Sequence, residues 1–214
     1  MCIRDRFFYA AELGEYRRGQ PGEDVVSTLL ATADEEGAIT TAEFETMFFL
    51  FAVAGNETLR NGIPGGMLAL LENPGQLQKL LSEPHLLPSA IEEMLRFAPP
   101  VIHFRRTATD NVELDGVNIR AGEKVVVYHA AANRDPKIFN DPDNFDIERS
   151  PNEHLTFGAG PHFCLGAHLA RSQMIAIFEQ VLTRLPGIAL NGKPEYLVSN
   201  FQNGLKHLPI IWRT

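Results

Sequence analysis

Cysteine is nearly missing from this chain of 214 residues, which has only Cys2 and Cys164. Two are too few for a disulfide framework, so the expected setting is a reducing one, the cytoplasm. Long apolar runs are missing too. The longest, Met47 to Ala54, is far shorter than the ~20 residues a helix needs to cross a bilayer. The start also lacks an apolar segment ahead of a small-residue cleavage site, so neither a membrane span nor a secretory leader is expected. Positive charge is scarce: 19 Lys and Arg against 27 Asp and Glu give a net charge of -8, with no basic run and no basic amphipathic helix. That excludes the electrostatic footprint of a protein that grips nucleic acid or anionic lipid. A Gly-x-Gly-x-x-Gly fingerprint is absent, so no flavin or nicotinamide site is expected. What is present is 44% hydrophobic residues, enough for one sizeable core or two small ones.

The register of the chain begins at Phe7. Met1 to Arg6 does not continue it and is expected to be a non-native leader, after which the chain opens in mid-helix with no cap. Helices are expected from Phe7 to Arg18, broken at Gly19-Gln20-Pro21-Gly22, and from Asp24 to Ala33, with Val25, Val26, Leu29 and Leu30 on one face. After Gly37-Ala38-Ile39, Thr40 and Glu43 have capping-box spacing. They open a long helix from Thr41 past Leu59 into Leu71, apolar on nearly every side at Phe48 to Val53 and so expected to be buried all round. Asn73-Pro74 to Ser82 and Pro88 to Phe97 make two more helices, the second stopped by Ala98-Pro99-Pro100. Val112 to Leu114, Val117 to Ile119 and Lys124 to Tyr128, with turns at Asp115-Gly116 and Ala121-Gly122, read as a meander of short strands. A helix runs from Cys164 to about Leu185, and Leu197 to Ile211 alternates as a strand pair turning at Asn203-Gly204.

Three stretches carry chemistry. The first is Phe157-Gly158-Ala159-Gly160-Pro161-His162-Phe163-Cys164-Leu165-Gly166, a cysteine in a glycine-rich loop just before a helix. Helix N-termini favour an anion, so the sulfur there is expected as a thiolate able to bind iron. Gly158 and Gly160 permit positive φ near a flat ligand, and Gly166 permits close approach of the backbone. The alternative is an ordinary buried cysteine in a turn. The second is Ala54-Gly55-Asn56-Glu57-Thr58, where an acid and an alcohol interrupt an apolar helix at a cost that needs a partner. A helix kink with Glu57 satisfied by a neighbour is the plainer account. The third is Glu93-Met94-Leu95-Arg96, acid and base three apart on one helix face, which alone reads as a surface pair.

The spacing Phe-Gly-x-Gly-x-His-x-Cys-x-Gly resembles, at every fixed position, the haem-binding loop of the cytochrome P-450 superfamily. The resemblance implies that Cys164 is the axial ligand of a haem b, that Phe157 lies beside it under the porphyrin, and that His162 meets a propionate. Ala54 to Thr58 resembles the family's oxygen-activation motif, implying proton delivery by Glu57 and Thr58, although Leu59 stands where a second Thr or Ser is frequent. Glu93 and Arg96 before Pro99-Pro100-Val101 resemble a second signature, which implies a structural lock to Arg149 in Phe145-Asp146-Ile147-Glu148-Arg149. Arg106, in Arg105-Arg106-Thr107-Ala108, matches the position of an arginine that pairs with a haem propionate, while on its own either arginine reads as surface charge.

The resemblance covers nearly all of residues 7–214 and implies a mainly α fold with a minor antiparallel β part, the C-terminal half of one cytochrome P-450 domain. It implies a monooxygenase that inserts one atom of O2 into a hydrophobic small molecule, with sterols, terpenoids or branched lipids as candidates. A ferredoxin and its reductase are the implied electron donors. Ala54, Val101, Ile102 and Phe201 are the positions implied to face substrate. Two rivals stand beside this: a truncated, inactive fragment without haem, and a haem protein that uses peroxide or isomerises its substrate.

Overall fold

Asp24 sets the start of the second helix by accepting the N–H groups of Val26 and Ser27 at 3.0 Å each on its Oδ1. The computed structural model describes residues 3–36 and 39–213. Met1 and Cys2 of the expected leader, and Gly37 and Ala38 ahead of the capping box, lie outside the described residues. The first helices are α1 (Ile3–Gly19), α2 (Val25–Glu36) and α3 (Thr41–Glu72). Thr40 opens α3 with a reciprocal cap: its N–H donates to Glu43 Oε2 at 2.7 Å, and the Glu43 N–H donates to Thr40 Oγ1 at 3.3 Å.

The chain divides after Glu57 into two units. The first packs Val26, Leu30 and Phe44 into a small core, with Leu13, Ile39 and Phe48 against it. Gly14 lets α1 come close, because a Cβ there would lie 2.9 Å from Phe44 Cε1. Phe7 stacks on Phe49 with ring centroids 5.3 Å apart. Two expectations fail here. Val25 is exposed, because consecutive helical residues point about 100° apart and Val26 takes the inward direction. α3 is not buried all round either: Leu50 is 58% exposed and Val53 38%. Its apolar girth exceeds what α1 and α2 cover within this unit.

The second unit holds the last part of α3, then α4 (Pro74–Ser82), α5 (Leu87–Phe97), α6 (His129–Ala132) and α7 (Ala167–Arg184). Leu70, Leu80, Ile91, Met94, Phe145, Ile147, Met174 and Phe178 form its core, each no more than 2% exposed. Gly66 brings α3 onto α5, since a Cβ there would sit 2.9 Å from Met94 Sδ. Pairing such fully buried apolar side chains contributes about 1.5–3 kcal/mol each.

The strands differ from the expected meander. β1 (His103–Thr107) pairs antiparallel with β4 (Lys124–Tyr128), and the hairpin of β2 (Val112–Leu114) and β3 (Val117–Ile119) stands between them in sequence as a separate two-stranded sheet. The Asp115-Gly116 turn has φ of 50° and 78°, the left-handed pair that a tight hairpin needs. In the tail, β5 (Ala189–Leu190) pairs with β8 (Ile210–Ile211) and β6 (Glu195–Tyr196) with β7 (Leu205–His207). The connection between β6 and β7 is therefore a loop from Leu197 to Gly204, closed by the Leu197 N–H on the Gly204 carbonyl at 2.9 Å, and not a two-residue turn. Among the described residues no helix is long and apolar enough to cross a membrane.

Candidate functional site

Cys164 lies three residues before the first residue of α7, and its carbonyl accepts the Ala167 N–H at 3.2 Å. The helix thus starts later than the sequence suggested, with Gly166 as its cap residue. Gly158 and Gly160 have φ of 72° and 65°, a region that residues with a side chain rarely occupy, and they fold the chain back on itself. The turn is pinned where the Cys164 N–H donates to the Phe157 carbonyl at 2.9 Å. It leaves the cysteine side chain exposed. Phe163, Leu165 and Leu169 flank it, at 52%, 78% and 62% exposure, and a Cβ on Gly166 would meet no protein atom within 4 Å. An exposed sulfur in an apolar rim with open space beside a glycine fits a flat, largely apolar group ligated by thiolate. His162, exposed in a short 3-10 turn, and Arg106, exposed on β1 with its Nη1 on the Arg105 carbonyl at 3.1 Å, offer cationic or hydrogen-bonding groups. Among the described residues no hydrogen bond or ion pair joins Arg106 to the Cys164 loop.

Behind the loop stands a second charge cluster, which sequence reasoning missed. Arg171 on α7 donates Nε and one Nη2 proton to Glu92 Oε1 and Oε2, at 2.6 and 2.7 Å. His154 Nε2 lies 3.2 Å from Glu92 Oε2. Burial pushes the Glu92 carboxyl up, but hydrogen bonds and charge from Arg171 and His154 outweigh it and hold the carboxyl down at about 2, against an ordinary 4.5. A folded value below the unfolded one means that this stabilisation is complete above pH 4.5 and fades as pH falls toward about 2. The thermal midpoint should therefore drop across that window, and drop less in Glu92→Gln; equal slopes for the two proteins would show that Glu92 contributes nothing to acid sensitivity. The sequence signal available was Glu92 itself, next to Glu93 but about 100° around the helix, so that the two carboxylates serve different neighbours.

Glu93, Arg96 and Arg149 are brought together. Glu93 and Arg96 are both fully buried. Arg96 Nε and Nη2 donate to the two Glu93 oxygens at 2.7 Å each, and Arg149 Nε lies 3.2 and 3.3 Å from the same oxygens. The Asp146 N–H and Asn152 Nδ2 complete the carboxylate shell at 2.9 and 3.0 Å. Asn133, also fully buried, joins this cluster to the approach of the cysteine loop: Nδ2 donates to the Arg96 carbonyl at 3.1 Å and to Thr156 Oγ1 at 2.9 Å, and Oδ1 accepts the Leu155 N–H at 2.8 Å. In sequence, Asn133-Arg134-Asp135-Pro136 read only as turn punctuation.

Val101 and Ile102 are held against the tail loop, with the Ile102 N–H on the Phe201 carbonyl at 2.9 Å and Val101 bridged to Gln202. Val101 is buried, Ile102 half-buried, and the Phe201 ring stands edge-on to Phe104 and His103 with centroids 5.8 and 6.1 Å apart. His129 is 4% exposed with no hydrogen bond to Nδ1; burial first, then the neighbouring His103, push its basicity down. On α3, Glu57 and Thr58 lie three and four residues after Ala54; Ala54 is exposed, Glu57 and Thr58 half-buried.

Comparison with known proteins bears on the chain as a whole. Over 210 residues the chain is 46% identical to a Mycobacterium tuberculosis protein named as cytochrome P450 126, covering 97% of this chain and 51% of the relative. It is 41% identical over 206 residues to the methyl-branched lipid omega-hydroxylase of the same species, covering 95% and 48%. It superposes on the crystal structure of CYP109E1 from Bacillus megaterium in complex with testosterone with a TM-score of 0.91 at 36% identity, covering 99% of this chain and 59% of that one. The chain thus spans about half the length of the curated relatives it matches. With the family model for cytochrome P450 matching residues 14–186, and with mainly helical structure and small antiparallel sheets of the same fold, the chain belongs to the cytochrome P450 family.

Proposed function

We propose that the protein to which this chain contributes is a haem-dependent monooxygenase that inserts one atom of O2 into a hydrophobic small molecule. The observation that carries this is the Cys164 loop: one exposed sulfur, presented just before α7 by a backbone that glycines at 158 and 160 make possible. The chemistry supplied by a bound thiolate haem is the reductive activation of dioxygen. Cys164 would hold the iron, Phe157 would lie against the ring, Gly158 and Gly166 would leave it room, and His162 and Arg106 would meet its propionates. Ala54, Val101, Ile102 and Phe201 would face the substrate. The names of two relatives, one acting on a methyl-branched lipid and one crystallised with testosterone, support a sterol or branched-lipid substrate. Electrons would come from a ferredoxin and its reductase in the cytoplasm. The direct test is the absorption spectrum of the reduced carbon-monoxide complex of the haem-loaded protein: a red-shifted Soret band is expected, and its absence overturns the proposal.

Glu57 and Thr58 would carry protons, the acid relaying from solvent and the hydroxyl both donating and accepting. Thr58→Ala should leave haem content and substrate affinity as they are, while product formed per reductant consumed falls and peroxide rises. Coupling as tight as the parent's would show that protons arrive by another route.

A second reading, that the chain by itself holds no haem and is inactive, is favoured by the exposed Leu50 and Val53 on α3. Haem titration of residues 7–214 tests this second reading: a soluble, monomeric, haem-loaded chain excludes it.

A further inference from the structure

Three segments meet at the ring of Phe157. The Arg171 guanidinium carbon lies 4.4 Å from its centroid, the distance of a cation over an aromatic face. The His154 ring is 5.9 Å away and the Phe163 ring 6.3 Å. Arg171 is itself fixed by its two bonds to Glu92 on α5, and Glu92 is also met by His154, three residues ahead of Phe157 in the chain. Bidentate contact between guanidinium and carboxylate defines an orientation as well as a distance, which a single ammonium contact does not. The plane of Phe157 is thereby referred to two helices, α5 and α7. Its carbonyl is the acceptor of the Cys164 N–H at 2.9 Å, so whatever fixes Phe157 also fixes the cysteine backbone.

The loop has few other ties of this kind. The Gly158 N–H bonds the Leu155 carbonyl at 2.8 Å and the Phe163 N–H bonds the Gly160 carbonyl at 3.0 Å, and both bonds lie within the loop and its own approach. They shape the turn without attaching it to a helix. Leu155 and Thr156 are anchored to Asn133 and to the Leu95 carbonyl, but those anchors precede the glycine turn. From the C-terminal side the Ala167 N–H meets the Cys164 carbonyl at 3.2 Å and the Ala170 N–H the Gly166 carbonyl at 2.8 Å, which tie the end of the loop to α7 but do not reach back to Phe157, as the Arg171 side chain does. We propose that Arg171, oriented by Glu92 and His154, is the positioning residue of the Cys164 loop, holding the sulfur where it can ligate iron as a thiolate. This rests on the reading of Cys164 as the ligand. Arg171 touches neither iron nor substrate in this account; it acts through Phe157.

A purely structural arginine and a positioning one differ in what their loss does to the spectrum. Loss of overall stability lowers the amount of folded, haem-loaded protein but leaves the ligation of what remains unchanged. Loss of positioning changes the ligation itself. The test uses the haem-loaded full-length protein and its Arg171→Gln, Arg171→Lys and Glu92→Gln variants, with three readouts: thermal midpoint, the shares of the reduced carbon-monoxide complex in the red-shifted thiolate band and in the blue-shifted band, and hydrogen exchange at the Cys164 amide.

Arg171→Gln and Glu92→Gln should each lose most of the thiolate band to the blue-shifted one, and exchange at the Cys164 amide should accelerate in both. Arg171→Lys, which keeps the charge but lacks the fork, should fail to restore the band. If a parent with a normal thiolate band gives variants whose band shares match its own, Arg171 does not position the loop, and the ligand reading stands. Full rescue by lysine would also overturn the proposal, because orientation would then be irrelevant. A parent without the thiolate band overturns the ligand reading and this inference with it. Should Arg171→Gln not fold, Glu92→Gln decides alone, since it removes the orienting carboxylate charge and leaves the arginine in place.

Discussion

Cys164→Ser should abolish the red-shifted Soret band of the reduced carbon-monoxide complex entirely while leaving the fold intact. The substitution separates the two roles of residue 164 cleanly. Its N–H holds the turn by donating to the Phe157 carbonyl at 2.9 Å, and its carbonyl accepts from Ala167 at 3.2 Å; serine keeps both. Its side chain is exposed, so little packing is lost. What serine cannot supply is a soft, easily ionised sulfur, because a hydroxyl stays protonated at neutral pH and is a poor ligand for haem iron. The thermal midpoint of the unloaded protein should therefore be unchanged, and the spectrum of the loaded one altered qualitatively. A band that survives the substitution would falsify the assignment of the ligand and move the search to another residue.

Local signals in the sequence are legible where the structure answers them locally. The Thr40 to Glu43 cap depends on three residues of spacing, and the two hydrogen bonds it implies are both present. The hairpin at Asp115-Gly116 needs positive φ at two successive positions, which the residue types announce. Apart from the lock of Glu93 and Arg96 to Arg149, which the resemblance implied, the long-range partners are illegible in the sequence. β1 reads His-Phe-Arg-Arg-Thr, with no alternation of polar and apolar residues to mark a strand, and it exists because β4 offers a matching edge at residues 124–128. The tail strands are two or three residues long, too short for any period to register. Glu92 and Arg171 lie 79 positions apart, and nothing in either neighbourhood states that α5 and α7 bring them together. The exposure of Leu50 shows the reverse error, since an apolar side chain announces a preference for burial but not a surface to meet.

Arg96→Ala should destabilise the protein by about 3–5 kcal/mol, the cost of breaking a buried ion pair and leaving its partners behind. The case rests on saturation. A guanidinium has five N–H donors, and all five are placed here: Nε on Glu93 Oε2 and Nη2 on Glu93 Oε1, both at 2.7 Å, the second Nη2 proton on the Asn144 carbonyl at 3.0 Å, and the Nη1 pair on the carbonyls of Asn133 and Pro142 at 2.8 Å each. Removing it takes this donor from three carbonyls, that of Asn133 buried and those of Pro142 and Asn144 partly buried, and a buried bond lost in this way costs about 1–3 kcal/mol. Glu93 itself fares better, because Arg149, Asn152 and the Asp146 N–H still face it. The damage should thus appear as loosening of residues 133–146 relative to α5, and through the Asn133 bonds it should reach Leu155 and Thr156 at the approach to Cys164. Arg96→Lys should recover little, since three donors on a single nitrogen cannot span two carboxylate oxygens and three separate carbonyls. Denaturant unfolding with hydrogen exchange resolved by segment measures both the size and the place of the loss. If Arg96→Lys folds as stably as the parent, geometry is not what selects arginine, and the site needs only a positive charge beside Glu93.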